Sequence, residues 1–142
     1  MEYELLPHAH TETALAEAEA LGVSPEEVAK TLVVKVPGGY TRVVVQASAR
    51  LDLRKLRELH GAGRHAVHLA SEADLRQDYP EFDLGAVPPI GGSRRDPVVV
   101  DPKVAEQATV VIEAGSHDES VRLAAADLVH VTGAAVTDIS ES

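Results

Sequence analysis

The sequence predicts a mixed-sheet α/β or α+β domain. Several runs of β-branched residues alternate with short amphipathic segments, so strands and helices are interspersed. Two of the longest apolar runs, "AKTLVVKV" and "YTRVVVQA", are separated only by a turn signal, which makes them an antiparallel hairpin rather than parts of a repeating βαβ unit. The length of 142 residues suits one domain spanning residues 1–142, and no linker, repeat or low-complexity tract divides it.

The elements follow in order. Residues 2–8 suit a short opening strand. Ala14, Leu15, Ala18 and Leu21 recur at helical spacing, and Gly22 is placed to end that helix. In "SPEE", Ser24 fits an N-cap, Pro25 the first helical position and Glu27 the capping-box acid, predicting a short helix to about Lys30. The hairpin comes next. Leu53, Leu56 and Leu59 mark a helix that stops at Gly61. "HAVHL" reads as a strand, and Ser71 with Asp74 opens another helix toward Tyr79. "GAVPPIGG" breaks all regular structure. "PVVVD" and "ATVVIEA" are strands, "AAADLVHVTG" is a helix and "AVTDI" is a last strand.

Composition narrows the function. The chain has no cysteine, which excludes disulfides and thiolate metal sites and suits a reducing cytoplasm. "MEYELLPHAH" lacks the basic and apolar regions of a signal peptide, and no apolar run approaches a membrane span. A cytoplasmic protein without membrane contact is expected. The net charge of −10 argues against broad nucleic-acid binding, and three Tyr, one Phe and no Trp leave little for base stacking. Nucleic-acid contact would be local, at Arg54-Lys55-Arg57 or Arg94-Arg95.

Several motifs carry less than they promise. "GAGRHA" at residues 61–66 matches a dinucleotide fingerprint, but it follows a helix and leads into a strand, the reverse of the required context. His8 with His10, and His65 with His68, lack a third ligand at metal-site spacing, so no metal or other cofactor is expected. No G-x-S-x-G elbow is present. "GAVPPIGG" joins stiff prolines to glycines that permit positive φ, and fits either a rigid connection or a ligand loop.

Lys30 is the unusual residue. Alternation puts it on the face of Leu32, Val34 and Val36, with Thr31 on the other. It could snorkel from a sheet edge, sit at the negative end of a helix dipole, or point into a cleft as a partly desolvated amine.

Taken together, "EALGVSPEEVAKTLVVKV", "RLDLRKL", "GAVPPIGGSRRDPVVVD" and "AAADLVHVTG" resemble the YbaK/prolyl-tRNA synthetase-associated editing domain family. The resemblance runs from about Thr11 to Ile139. It implies a mixed, partly barrel-like β-sheet flanked by short helices, and hydrolysis of aminoacyl-tRNAs that carry the wrong amino acid. It puts the family's lysine on Lys30 and its substrate loop on Gly85, Ala86, Val87, Pro88, Pro89 and Gly91. The acid near the C-terminus falls on Asp127, which would neutralise the substrate's α-ammonium or orient Lys30, or serve only as a helix-start acid. Ala86 and Pro88 depart from the family's common residues where the amino acid is held. No counterpart of the extra N-terminal helix of many relatives is expected before the first strand.

A free-standing trans-editing factor is expected, acting on the acceptor end of aminoacyl-tRNA, with an aminoacyl-tRNA synthetase as a further partner. Arg94 and Arg95 would touch phosphate. Candidate substrates are tRNA-Pro carrying Cys or Ala, with Ser and Thr also open. Two rivals stand beside this reading: a binding module without hydrolysis, and a hydrolase of small aminoacyl esters that needs no tRNA.

Overall fold

The computed structural model describes residues 2–63 and 65–142. Its elements are β1 (Tyr3–Pro7), α1 (Ala14–Leu21), β2 (Ala29–Val36), β3 (Gly39–Gln46), α2 (Leu53–His60), β4 (His68–Leu69), α3 (Glu72–Asp78), β5 (Val98–Val100), α4 (Pro102–Ala105), β6 (Thr109–Ser116), β7 (Glu119–Ala124), α5 (Ala125–Thr132) and β8 (Ala135–Val136). The strands form two sheets, one ordered β1-β7-β6 and the other β4-β2-β3-β5-β8. The larger sheet is mixed: β2 runs antiparallel to β3 and to β4, whereas β5 runs parallel to β3 and to β8. The fold is thus the mixed α/β class that the sequence predicts.

β3 is central, which explains its composition. Tyr40 to Gln46 are all buried, so the strand reads as a nearly continuous apolar run. The β2–β3 hairpin closes at Val36 and Gly39 around Pro37 and Gly38, and Gly38 takes the positive φ of +87° that this turn needs. The two sheets meet at the start of β2. Val28 bridges Val111, the Val111 N–H donates to the Glu27 carbonyl at 2.9 Å, and the Ala47 N–H donates to the Val28 carbonyl at 2.8 Å. This seam fixes the backbone immediately before Lys30.

Apolar side chains fill both faces. Ala29, Val44, Val100, Val110, Leu123 and Leu128 form the core between the sheets and α5. Val34, Val43, Val45, Leu56 and Val67 form a second cluster under α2, joined by Leu32 and Val36 as alternation requires. Val33, Tyr40, Tyr79 and Val87 pack the proline-containing loop onto the opposite face of β2.

The helix expected from Ser24 to Lys30 does not form. The segment makes one turn, with the Glu27 N–H donating to the Ser24 carbonyl at 3.0 Å. The Ser24 hydroxyl bonds Glu26, and Glu27 pairs with Arg122 at 3.2 Å. The Glu26 carbonyl, which a helix would give to the Lys30 N–H, accepts from the Gln46 side chain at 3.1 Å, and the Glu27 and Val28 carbonyls go to Val111 and Ala47, so tertiary pairing overrides the local signature. Lys30 therefore lies in β2 and owes nothing to a helix dipole. The strand expected in "HAVHL" shrinks to His68 and Leu69, and that expected in "AVTDI" to Ala135 and Val136. Arg64, within "GAGRHA", lies outside the described residues. Among the described residues, no helix is long and apolar enough to cross a membrane.

Candidate active site

A cleft of about 460 Å³ opens beside β2. Its walls come from the start of α1, residues 30–33, the β4–α3 junction, Gly85 and Val87 of the loop, and Glu113 of β6. The cleft exists because β2 is only partly covered on this side. β4 pairs with Val34 and Lys35, and the Ala70 N–H reaches the Val33 carbonyl at 2.9 Å. Backbone groups of successive residues point to opposite edges in an antiparallel ladder, and those of every second residue to the same edge. The N–H and C=O of Thr31 consequently face the same edge as those of Val33, beyond the end of β4.

Lys30 is half-buried and lines this cleft. Burial is the main force lowering its pKa, and the Arg50 charge adds to it. No carboxylate is among the charges acting on the amine, so it is an unneutralised cation beside apolar walls. Thr31 is more exposed to function than strand alternation suggests: it lines the cleft, and its hydroxyl oxygen is buried without a partner.

The loop is held from behind by Arg42, a buried guanidinium on β3. It donates to the Pro88 carbonyl at 2.9 Å, the Gly91 carbonyl at 3.0 Å and the Arg94 carbonyl at 3.3 Å, and pairs with Asp96 at 3.2 Å. Tyr79 also donates to Asp96, at 2.5 Å. Loop carbonyls that cannot join a sheet are thereby satisfied inside the protein. At the loop's other end, the Ala86 N–H donates to the Asp83 carbonyl at 3.0 Å, and Gly85 turns with φ of +81° against His117.

An acidic pocket floor lies below. Glu113 is 5% exposed, and its Oε2 has no partner. Burial raises its pKa to about 8, with Glu17 and Asp83 pushing the same way. Glu17 is fully buried; one oxygen accepts from Ser120, while Oε1 is unpartnered. Burial raises its pKa also.

Of the residues singled out from the sequence, Lys30, Gly85 and Val87 come together in the cleft. Ala86, Pro88 and Pro89 are buried within the loop rather than lining the cleft. Gly91, Arg94 and Arg95 border a separate hollow of about 210 Å³ with Pro89. Arg94 is occupied there: it stacks over Tyr40 and pairs with Asp96. Arg95 is exposed. Asp127 stands in the first turn of α5 and borders a third hollow with Arg122, outside the Lys30 cleft. Sequence reasoning missed Arg42 and Glu113. Each is a lone charged residue inside an apolar strand run, the same signal that drew attention to Lys30.

Comparison with known proteins places this geometry. A family profile described as "Aminoacyl-tRNA editing domain" matches residues 8–131. The chain belongs to the aminoacyl-tRNA editing domain family. The editing domain superposes on the crystal structure of hypothetical protein APE2540 with a TM-score of 0.89 at 30% identity, covering 99% of this chain and 93% of that one. It matches equally well, with a TM-score of 0.89 and 28% identity, a proposed trans-editing enzyme for prolyl tRNA synthetase, covering 99% of this chain and 87% of that one. A scaffold protein used for grafting linear epitopes, 24% identical with a TM-score of 0.86, shares the fold. In this editing domain, then, the cleft at the open edge of β2 joins the lysine to the glycine- and proline-containing loop.

Proposed function

We propose that this editing domain hydrolyses the ester bond of mischarged aminoacyl-tRNA in trans, with tRNA-Pro carrying Cys or Ala as the first substrates to test. The observation that carries this reading is that Lys30, with no neutralising carboxylate, lines one cleft with Gly85 and Val87.

An aminoacyl-tRNA is an activated ester, so positioning and charge stabilisation can supply the rate. The aminoacyl group enters the cleft, and its side chain meets Val33, Val87, Leu69 and Leu75. The Lys30 ammonium and the outward Thr31 N–H face the carbonyl oxygen, where negative charge develops. Water, held by the neighbouring ribose hydroxyl, adds to the carbonyl carbon, and its proton passes to that hydroxyl as the hydroxyl gives its own to the ester's ribose oxygen. The tetrahedral intermediate collapses by breaking the bond to the ribose oxygen, which takes up a proton, and the free amino acid leaves. Arg95 meets phosphate at the acceptor end; the engaged Arg94 and the distant Asp127 take no part.

The test is a deacylation screen with tRNA-Pro charged with alanine and with cysteine, using the native protein and Lys30→Ala. Accelerated ester loss that disappears in the variant is the expected result. An unchanged ester lifetime alongside measurable tRNA binding would make the protein a capture module instead. Equal cleavage of a truncated aminoacyl-adenosine would remove the need for tRNA.

A further inference from the structure

An aminoacyl ester carries a cation next to its reactive carbonyl, and the cleft that holds Lys30 needs an acceptor for it. Lys30 cannot be that acceptor, because it is itself a cation. Asp127, the acid singled out from the sequence, borders another hollow. The cleft does contain a carboxyl group without a partner: Glu113, nine-tenths buried, with Oε2 free of any hydrogen bond. Behind it, Glu17 leaves a second buried carboxyl oxygen unpaired.

Buried polar atoms are rarely left unsatisfied in native proteins, so two such oxygens together require an explanation. Ion pairs among the described residues do not supply one. Acidic groups, Glu17 and Asp83, are the charges that act on Glu113. Glu12 and Lys30 face the same cleft, but Glu12 is exposed and directed to His10 and His117. The missing partner is a small donor that enters from outside. Among the described residues no group of three or more His, Asp or Glu side chains is arranged to hold a metal ion. A primary ammonium fits better, since it carries several N–H donors in little volume and can satisfy one carboxylate oxygen directly.

We propose that Glu113 receives the substrate's α-ammonium, so that this site takes esters with a free amino group and refuses those whose nitrogen is acylated, peptidyl esters among them. This rests on the deacylase reading for its substrate but not for its chemistry, because amine binding can be measured without any ester. An acylated nitrogen has one N–H, no charge and added bulk, and leaves the buried carboxyl unsatisfied. Burial keeps the empty Glu113 protonated near neutral pH, and an arriving ammonium favours its ionised form.

The experiment titrates the native protein and Glu113→Gln with L-alaninamide and with N-acetyl-L-alaninamide, following the backbone amide resonances of Thr31 and Gly85. The native protein is expected to bind the free amine about tenfold more tightly or better, the worth of a charge-assisted hydrogen bond. In Glu113→Gln the two ligands should bind alike, and Glu113→Asp should restore part of the preference. A preference that survives in Glu113→Gln, or no binding of alaninamide up to its solubility, overturns the proposal. Glu113→Gln is isosteric and removes a buried carboxyl, so loss of fold does not confuse the result. A second arm compares alanyl-tRNA with N-acetylalanyl-tRNA. Cleavage of neither, with the alaninamide preference intact, defeats the deacylase reading alone. Equal cleavage of both by the native protein and by Glu113→Gln defeats the role of Glu113 alone.

Discussion

Arg42 and Pro88 are joined inside the protein: the guanidinium of a β3 residue donates to the carbonyl of the loop at 2.9 Å. Strand register, not loop sequence, thus decides where Gly85 to Gly91 stand. Arg42 is 1% exposed and serves three loop carbonyls and Asp96 at once.

Arg42→Ala should therefore cost about 3–5 kcal/mol, because it strands the Pro88, Gly91 and Arg94 carbonyls and leaves the buried Asp96 carboxylate with Arg94 as its one remaining guanidinium partner. Arg42→Lys keeps the charge but lacks the planar fork, and should lose less stability while still loosening the loop. Urea unfolding gives the first quantity. Hydrogen exchange at Ala86 and Gly91 gives the second, and should speed up in Arg42→Lys even where the midpoint changes little.

Lys30 makes no ion pair among the described residues, so replacing it should spare the fold. Lys30→Ala is expected to lower deacylation by roughly 100- to 1,000-fold, the usual worth of one preorganised charge at a developing oxyanion. Its melting temperature should match the native value. The ammonium form is the active one, and burial and Arg50 both lower its pKa below the ordinary 10.5. Activity should accordingly fall on the alkaline side before an ordinary lysine would titrate. Arg50→Gln removes one of the two causes and should move that limb to higher pH; a shift to lower pH would contradict the assignment.

How much of this was legible depends on whether a feature is local. The capping box of Ser71 and Asp74 forms as read, and Gly22 and Gly61 end their helices with positive φ. The β2–β3 hairpin was visible because its turn residues lie between its strands. Ser24 to Glu27 carry an equally good local signature, yet the Val28 and Glu27 carbonyls go to Ala47 and Val111 from distant parts of the chain. The same limit applies to the site. Lys30, Gly85 and Val87 could be singled out, but what surrounds them could not. Whether a charged residue in a strand meets a partner, as Arg42 does, or none, as Glu113 does, is set by residues that fold beside it. α4 went unread because Pro102 to Ala105 is a single turn, too short for a periodic signal, and β7 because the alternation of Val121 and Leu123 with Ser120 and Arg122 runs without a break into α5.

Asp101 offers a test of how the C-terminal segment is held. It is 1% exposed, and Oδ2 accepts from the Ile139 N–H at 3.1 Å, the Ser140 N–H at 3.1 Å and the Ser140 hydroxyl at 2.8 Å. Oδ1 caps α4 through the Lys103 N–H at 2.9 Å. Asp101→Ala strands all these donors and should cost about 3 kcal/mol or more. Asp101→Asn can keep its oxygen toward Ile139 and Ser140, but then turns its amide against the Lys103 N–H. It should cost about 1–2 kcal/mol, the worth of a helix cap. Equal losses for the two variants in urea unfolding would rule this arrangement out.

Glu113 gives the stability of the protein a sign that most carboxylates do not. Its folded pKa of about 8 lies above the ordinary 4.5, so the folded state keeps a proton that the unfolded chain has released. Below pH 4.5 both states are protonated and the group contributes nothing. Between about 4.5 and 8 the unfolded state binds fewer protons, and stability falls as pH rises. Above pH 8 both states are ionised and the penalty is constant, at roughly a few kcal/mol. Glu113→Gln removes the titration, so it should match the native protein near pH 4 and exceed it at pH 8. Glu17, whose pKa burial also raises, adds a smaller drift of the same sign that persists in the variant. Urea unfolding of the two proteins at intervals from pH 4 to 9 would measure the difference. A native protein that exceeds Glu113→Gln at pH 8 and converges on it toward pH 4 would show instead that Glu113 is ionised in the folded protein and partnered by a cation.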